Sequence, residues 1–174
     1  MQEAAKNEMW EWIKSIVLAI ILALVIRAFL VEVFLVQGDS MLPTLHDRER
    51  LLVSKIQYFY REPKAGEIVV FQATEDRDFI KRVIATAGDE VRIIPDGVYV
   101  NGEKITEDYV LEKAWESYGP VIVPEGTVFV MGDNRNNSMD SRHPNVGFIE
   151  LDQIKGKAIF IFWPLGSMRA ISHH

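Results

Sequence analysis

Ser40 lies in the run Val36-Gln37-Gly38-Asp39-Ser40-Met41-Leu42-Pro43-Thr44-Leu45. A serine hydroxyl becomes a nucleophile only when a base lies within hydrogen-bond reach. Gly38 permits unusual backbone and Pro43 stops a helix, so Ser40 sits on an irregular stretch that can expose its hydroxyl beside backbone N–H groups. Taken alone, Gly-Asp-Ser reads as a turn. The chain offers His46, His143, His173 and His174 as bases. The first two stand in polar, turn-like surroundings and the last two at the terminus. A Ser-His-Asp set using His46 or His143 stays open, without a local pattern in its favour.

A different base lies in Phe79-Ile80-Lys81-Arg82-Val83-Ile84. Strand alternation puts Phe79, Lys81 and Val83 on one face and Ile80, Arg82 and Ile84 on the other. Only the lysine can act as a base, because arginine stays protonated. Apolar burial disfavours the ammonium, and moving a lysine from ~10.4 to about 8 takes roughly 3 kcal/mol of differential desolvation. The plain alternative is a lysine reaching solvent from a strand edge. A third cluster, Met131 to Arg142, follows an apolar run and is dense in turn formers. In it, Ser138 or Ser141 can orient a neutral lysine by a hydrogen bond, while Asp140 and Arg142 are close enough to brace the loop.

The elements that must position these groups are of two kinds. Residues 13–36 are mostly apolar on all sides, and as a helix Trp10–Arg27 rises about 26 Å at ~1.5 Å per residue. Trp10 and Trp12 suit one membrane interface, and Arg27 and Glu32 can snorkel toward the other. With no small-residue cleavage site following, the segment is expected to be an uncleaved membrane anchor. Charge near it leaves the orientation open. Beyond Val36, short β-branched runs recur at Arg50–Val53, Glu67–Phe71, Phe79–Ala85, Glu90–Ile94, Val98–Val100, Val121–Val123, Val128–Met131 and Lys157–Phe162. Pro95-Asp96-Gly97 and Asn101-Gly102 bracket a tight hairpin. The expected fold is therefore mostly β: a transmembrane helix, then an antiparallel β-sandwich or partly open barrel. Residues 103–120, the most polar stretch, are expected to form an insertion or long loop.

Composition narrows the field. Among 174 residues, 48% are hydrophobic, the net charge is −6 and no cysteine occurs. The charge argues against a nucleic-acid partner, and the missing thiols exclude disulfides, thiolate nucleophiles and Cys-ligated metals. Acidic residues are scattered and no phosphate loop or dinucleotide fingerprint appears, so neither metal nor organic cofactor is expected.

The anchor, Gly38 to Leu45, Gly66 to Phe71, Lys81 to Ile84 with Gly88-Asp89, and Gly132-Asp133-Asn134 through Arg142 follow one another in an order that resembles type I signal peptidases, closest to the single-span Gram-positive kind. The likeness covers nearly the whole chain. It implies a serine endopeptidase with a Ser/Lys dyad that removes signal peptides from exported preproteins after Ala-X-Ala-type sites. By motif match Ser40 is the nucleophile, Lys81 the general base, Ser138 the hydroxyl that orients the lysine, and Asp140 and Arg142 the buttress. It further implies residues 1–12 in the cytoplasm, an anchor over 13–36 in the bacterial cell membrane, and a catalytic domain over 37–174 outside, near the secretion machinery. Gram-negative relatives carry a serine two residues before the nucleophile; Gly38 stands there, so the oxyanion hole is expected to rest on backbone donors such as the Ser40 N–H. Met41, Phe79 and Ile80 are candidate walls for the substrate pockets. Competing readings are a self-cleaving repressor with a Ser/Lys dyad, which needs a DNA-binding domain not visible here, and a non-catalytic membrane-anchored β module.

Overall fold

The computed structural model describes the backbone of residues 2–173 and the side chains of residues 9–24 and 30–173. His174 lies outside the described residues. Helix α1 runs Gln2–Phe29, about 42 Å long at ~1.5 Å per residue. Its described apolar side chains, among them Ile16, Leu18, Ile21, Leu22 and Leu24, are exposed rather than packed. Among the described residues no helix is long and apolar enough to cross a membrane. The span expected from the sequence also draws on residues 25–29, Arg27 included, whose side chains lie outside the description.

The expected helix over 13–36 is corrected at its C-terminal end. Val31–Leu35 is a strand, β1, antiparallel to β2 (Arg50–Ser54) in a register from Val31↔Ser54 to Leu35↔Arg50. Val31-Glu32-Val33-Phe34-Leu35 is rich in residues that pack well on a pleated surface, and pairing with β2 satisfies its backbone. Glu32, on β1, pairs with Lys55 at 2.6 Å.

The remaining strands are β3 (Ile68–Thr74), β4 (Arg77–Thr86), β5 (Glu90–Ile94), β6 (Gly97–Val100), β7 (Glu103–Lys104), β8 (Tyr118–Ile122), β9 (Thr127–Met131), β10 (Ile149–Glu150), β11 (Ile154–Trp163) and β12 (Arg169–Ala170). They form two sheets, antiparallel throughout: an eight-stranded one ordered β1-β2-β11-β3-β4-β9-β10, with β12 on β11, and a four-stranded one ordered β7-β6-β5-β8. Each of the eight runs expected from the sequence falls on a strand.

In β3, Ile68 and Val70 enter one apolar cluster with Met41, Leu45 and Val53, while Val69 and Phe71 enter another with Val83 and Val130. The large sheet is thus buried on both faces at its centre, which explains a continuous apolar run where alternation would mark a half-exposed strand. A third cluster joins Ile84 and Phe129 of the large sheet to Val91, Ile93 and Val98 of the small one. Two strand edges matter for the site. β1 ends the large sheet, and β4 pairs with β3 over Arg77–Arg82 but with β9 only from Arg82 onward, so the outer edge of Arg77–Lys81 is open.

Candidate active site

Strand β1 leads directly into the Ser40 loop. Gly38 there adopts φ +84°, a conformation L side chains rarely take, and donates its N–H to Asp47 Oδ1 at 2.8 Å. Met41 and Leu45, fully buried, pin the far side of the loop to the core.

Lys81, in the middle of β4, is only 4% exposed. Its Nζ donates to Ser40 Oγ at 2.7 Å and to the Ile80 carbonyl at 3.1 Å, and lies 5.2 Å from the centre of the Phe79 ring. Burial lowers its pKa to about 8, against the attraction of the Asp140 and Asp133 carboxylates, which favours the ammonium. A substantial neutral fraction therefore exists near physiological pH, able to accept the Ser40 proton across the same 2.7 Å contact. Two of the histidines are engaged elsewhere. His143 Nδ1 accepts from Asn145 N–H, and His173 Nδ1 accepts from Ile68 N–H at 3.4 Å, with burial holding its pKa down to about 4. Among the described residues no histidine bonds Ser40.

The loop from Gly132 to Arg142 closes over both groups. Asn134 donates its N–H to the Ser40 carbonyl and its Nδ2 to the Asp39 carbonyl, each at 3.0 Å. Gly132 packs so tightly that a Cβ there would collide with the Ser40 carbonyl and the Ser138 side chain. Asp140, wholly buried, accepts the Gly132 N–H at 3.0 Å and a two-pronged ion pair from Arg142, whose Nη2 also donates to the Arg135 carbonyl. Asp140 and Arg142 thus brace the loop from within. Ser141 exchanges hydrogen bonds with the Val130 backbone and is committed to structure. Ser138 Oγ is buried beside Gly132 without a hydrogen-bond partner, and no hydrogen bond joins it to Lys81.

One pair at the centre was not singled out from the sequence. Arg82 and Asp133 form a fully buried ion pair, Nε to Oδ1 at 2.9 Å and Nη2 to Oδ2 at 2.7 Å, while Arg82 Nη1 reaches the Gly66 carbonyl. Thr44 Oγ1 donates to Asp133 Oδ2 at 2.5 Å. The residue after the lysine is thereby tied to the loops carrying Ser40 and Ser138. Strand alternation places Arg82 on the face opposite Lys81 between Ile80 and Ile84; the structure buries it there, and a buried arginine demands a carboxylate.

A cavity of about 670 Å³ opens where Ser40 and Lys81 meet. One side is β1, with Val33 and Leu35; the other is the open edge of β4, with Phe79 and Ile80; Met41 and Met139 complete it. All three candidate pocket walls thus line one groove. Among the described residues, no group of three or more acidic or histidine side chains converges as metal ligands would.

A family model described as signal peptidase, peptidase S26, matches residues 9–163. The chain belongs to the signal peptidase family. It is accordingly a hydrolase, a serine peptidase of the signal peptidase I kind. Signal peptidase I of Bacillus licheniformis is 45% identical over 175 residues, covering 94% of each chain. Signal peptidase I T of Bacillus subtilis is also 45% identical, covering 94% of this chain and 90% of its own length. A crystal structure of a signal peptidase I from Enterococcus faecalis V583 aligns with a TM-score of 0.49 at 28% identity, over 56% of this chain and 97% of that one.

Proposed function

We propose that the chain is a membrane-anchored endopeptidase that cuts signal peptides from exported preproteins, with Ser40 as nucleophile and Lys81 as general base. The observation that carries this reading is the 2.7 Å contact between Ser40 Oγ and the Nζ of a buried lysine whose pKa burial lowers to about 8. The preprotein enters the groove extended, taking main-chain hydrogen bonds from the open edges of β1 and β4. Ser40 Oγ attacks the scissile carbonyl carbon while neutral Lys81 takes its proton. The carbonyl oxygen gains the negative charge, and the Ser40 N–H, which has no acceptor among the described residues, is the donor assigned to it. Lys81 returns the proton to the leaving amine, and water, activated by the same lysine, releases the acyl group.

Met41, Phe79 and Ile80 form shallow walls that suit small residues such as the alanines of an Ala-X-Ala site. Ser138, buried beside Gly132, serves the lysine once substrate closes the site. Helix α1, whose described apolar side chains from Ile16 to Leu24 are exposed, anchors the chain in the bilayer with its N-terminus in the cytoplasm and the sheets outside, beside the export machinery.

The test is cleavage of a detergent-solubilised preprotein bearing an Ala-X-Ala site. Wild type is expected to cut after the second alanine, and Ser40→Ala to leave the substrate intact. Equal cleavage by both would remove Ser40 from the reaction.

A further inference from the structure

Residues 105–117, between β7 and β8, contain no helix or strand, yet they send side chains inward to the loop that closes the site. Glu107 forms a buried ion pair with Arg135 Nη1. The Tyr109 ring lies 3.9 Å from the Arg82 guanidinium carbon and 5.8 Å from that of Arg135. Trp115 N–H donates to Asn136 Oδ1 at 3.0 Å, and Asn136 Nδ2 donates to the Lys113 carbonyl at 3.1 Å.

We propose that this segment is a strap that sets the position of the catalytic loop, with Glu107 and Tyr109 as its positioning residues. The inference rests on the Ser40–Lys81 reading and extends it. Two routes lead from the strap to the reacting atoms. In the first, Arg135 Nε donates to the Gly132 carbonyl at 3.0 Å, and Gly132 packs against the Ser40 carbonyl and Ser138. Arg135 is buried with Nη2 unpartnered, so Glu107 supplies the opposite charge that lets it stay. In the second, the Tyr109 ring covers a face of the Arg82 guanidinium and keeps water from the Arg82–Asp133 pair, which holds Thr44 on one side and neighbours Lys81 on the other. A shift of the strap is thus a shift of both members of the dyad relative to each other.

The test uses the full chain in detergent with the Ala-X-Ala preprotein, assayed from pH 6 to 10. The groups facing Lys81 are Ser40, Phe79, Asp133 and Asp140, with Arg82 and Arg142 matching the two carboxylates. Tyr109→Leu is expected to lower kcat about tenfold with KM unchanged, a loss of alignment rather than of binding. It should also move the midpoint of the rate–pH curve upward from about 8, because a loosened loop admits water to Nζ. Tyr109→Phe, which keeps the ring face, should restore both. Glu107→Gln is expected to lower kcat by a similar factor. Wild-type kcat and midpoint in both Tyr109→Leu and Glu107→Gln would overturn the proposal. So would a loss that disappears when rates are divided by the fraction of sites labelled by a covalent serine reagent, with the midpoint unmoved. If Tyr109→Leu does not fold, Glu107→Gln alone decides. Ser40→Ala runs alongside: if it too cleaves, the dyad reading fails whatever the strap variants do.

Discussion

At the scale of single residues, burial lowers the Lys81 pKa to about 8 although Asp140 and Asp133 pull the other way. The unfolded lysine titrates near ~10.4, so between those values the unfolded chain binds a proton that the folded one does not. Stability therefore rises with pH across that window, and below it the fold carries the whole burden of about 3 kcal/mol. Lys81→Met is expected to abolish cleavage yet unfold at higher urea by roughly 1–3 kcal/mol at pH 7, the gain shrinking at pH 10. Equal stability at both pH values would show the lysine to be solvated. In the sequence Ser40 and Lys81 stood out only as a turn before a proline and a cation inside an apolar strand; their pairing came from the resemblance, because the fold makes the 2.7 Å contact between them. Arg82 was legible only as a cation on the face opposite Lys81. Its partner Asp133 and its cover Tyr109 are brought to it by the fold, and no local pattern marks them.

At the scale of elements, the loop from Gly132 to Arg142 is locked onto the Ser40 loop by backbone contact, so the glycine at its start has no room to change. Gly132→Ala places a methyl against a backbone carbonyl that cannot turn aside. It is expected to cost about 1–3 kcal/mol in urea unfolding and to reduce kcat more than tenfold. Wild-type kinetics would mean that the two loops part easily. The long strands were legible from β-branched runs and turn residues. The edge strand β1 was not, because its apolar residues continue those of the helix and average hydropathy cannot separate them; the signal lies in the change to Val31-Glu32-Val33-Phe34-Leu35. Two-residue strands such as Ile149–Glu150 exist only by virtue of their partners. The polar 103–120 stretch read as a loop, which it largely is, but its inward contacts depend on where the small sheet carries it.

At the scale of the whole molecule, α1 contacts chiefly the strand that follows it, and among the described residues it contributes no side chain to the groove. A chain beginning at Leu30 is expected to fold and to cleave a short soluble peptide within about threefold of the full-length rate. Its cleavage of a preprotein embedded in vesicles should fall by about 10²-fold, since the helix confines enzyme and substrate to one surface. Equal losses on both substrates would instead give the helix a part in the fold of the site.

The junction between helix and groove has no slack. β1 begins two residues after α1 ends and reaches the Ser40 loop within five more. Phe34 and Val36 turn toward the core while Val33 and Leu35 face outward. A strand reads its length modulo two, so one residue gained or lost here would exchange the two sets wholesale. A single-residue insertion or deletion in this stretch is thus expected to disturb the groove more than a paired one, whereas the helix before it can lengthen one residue at a time.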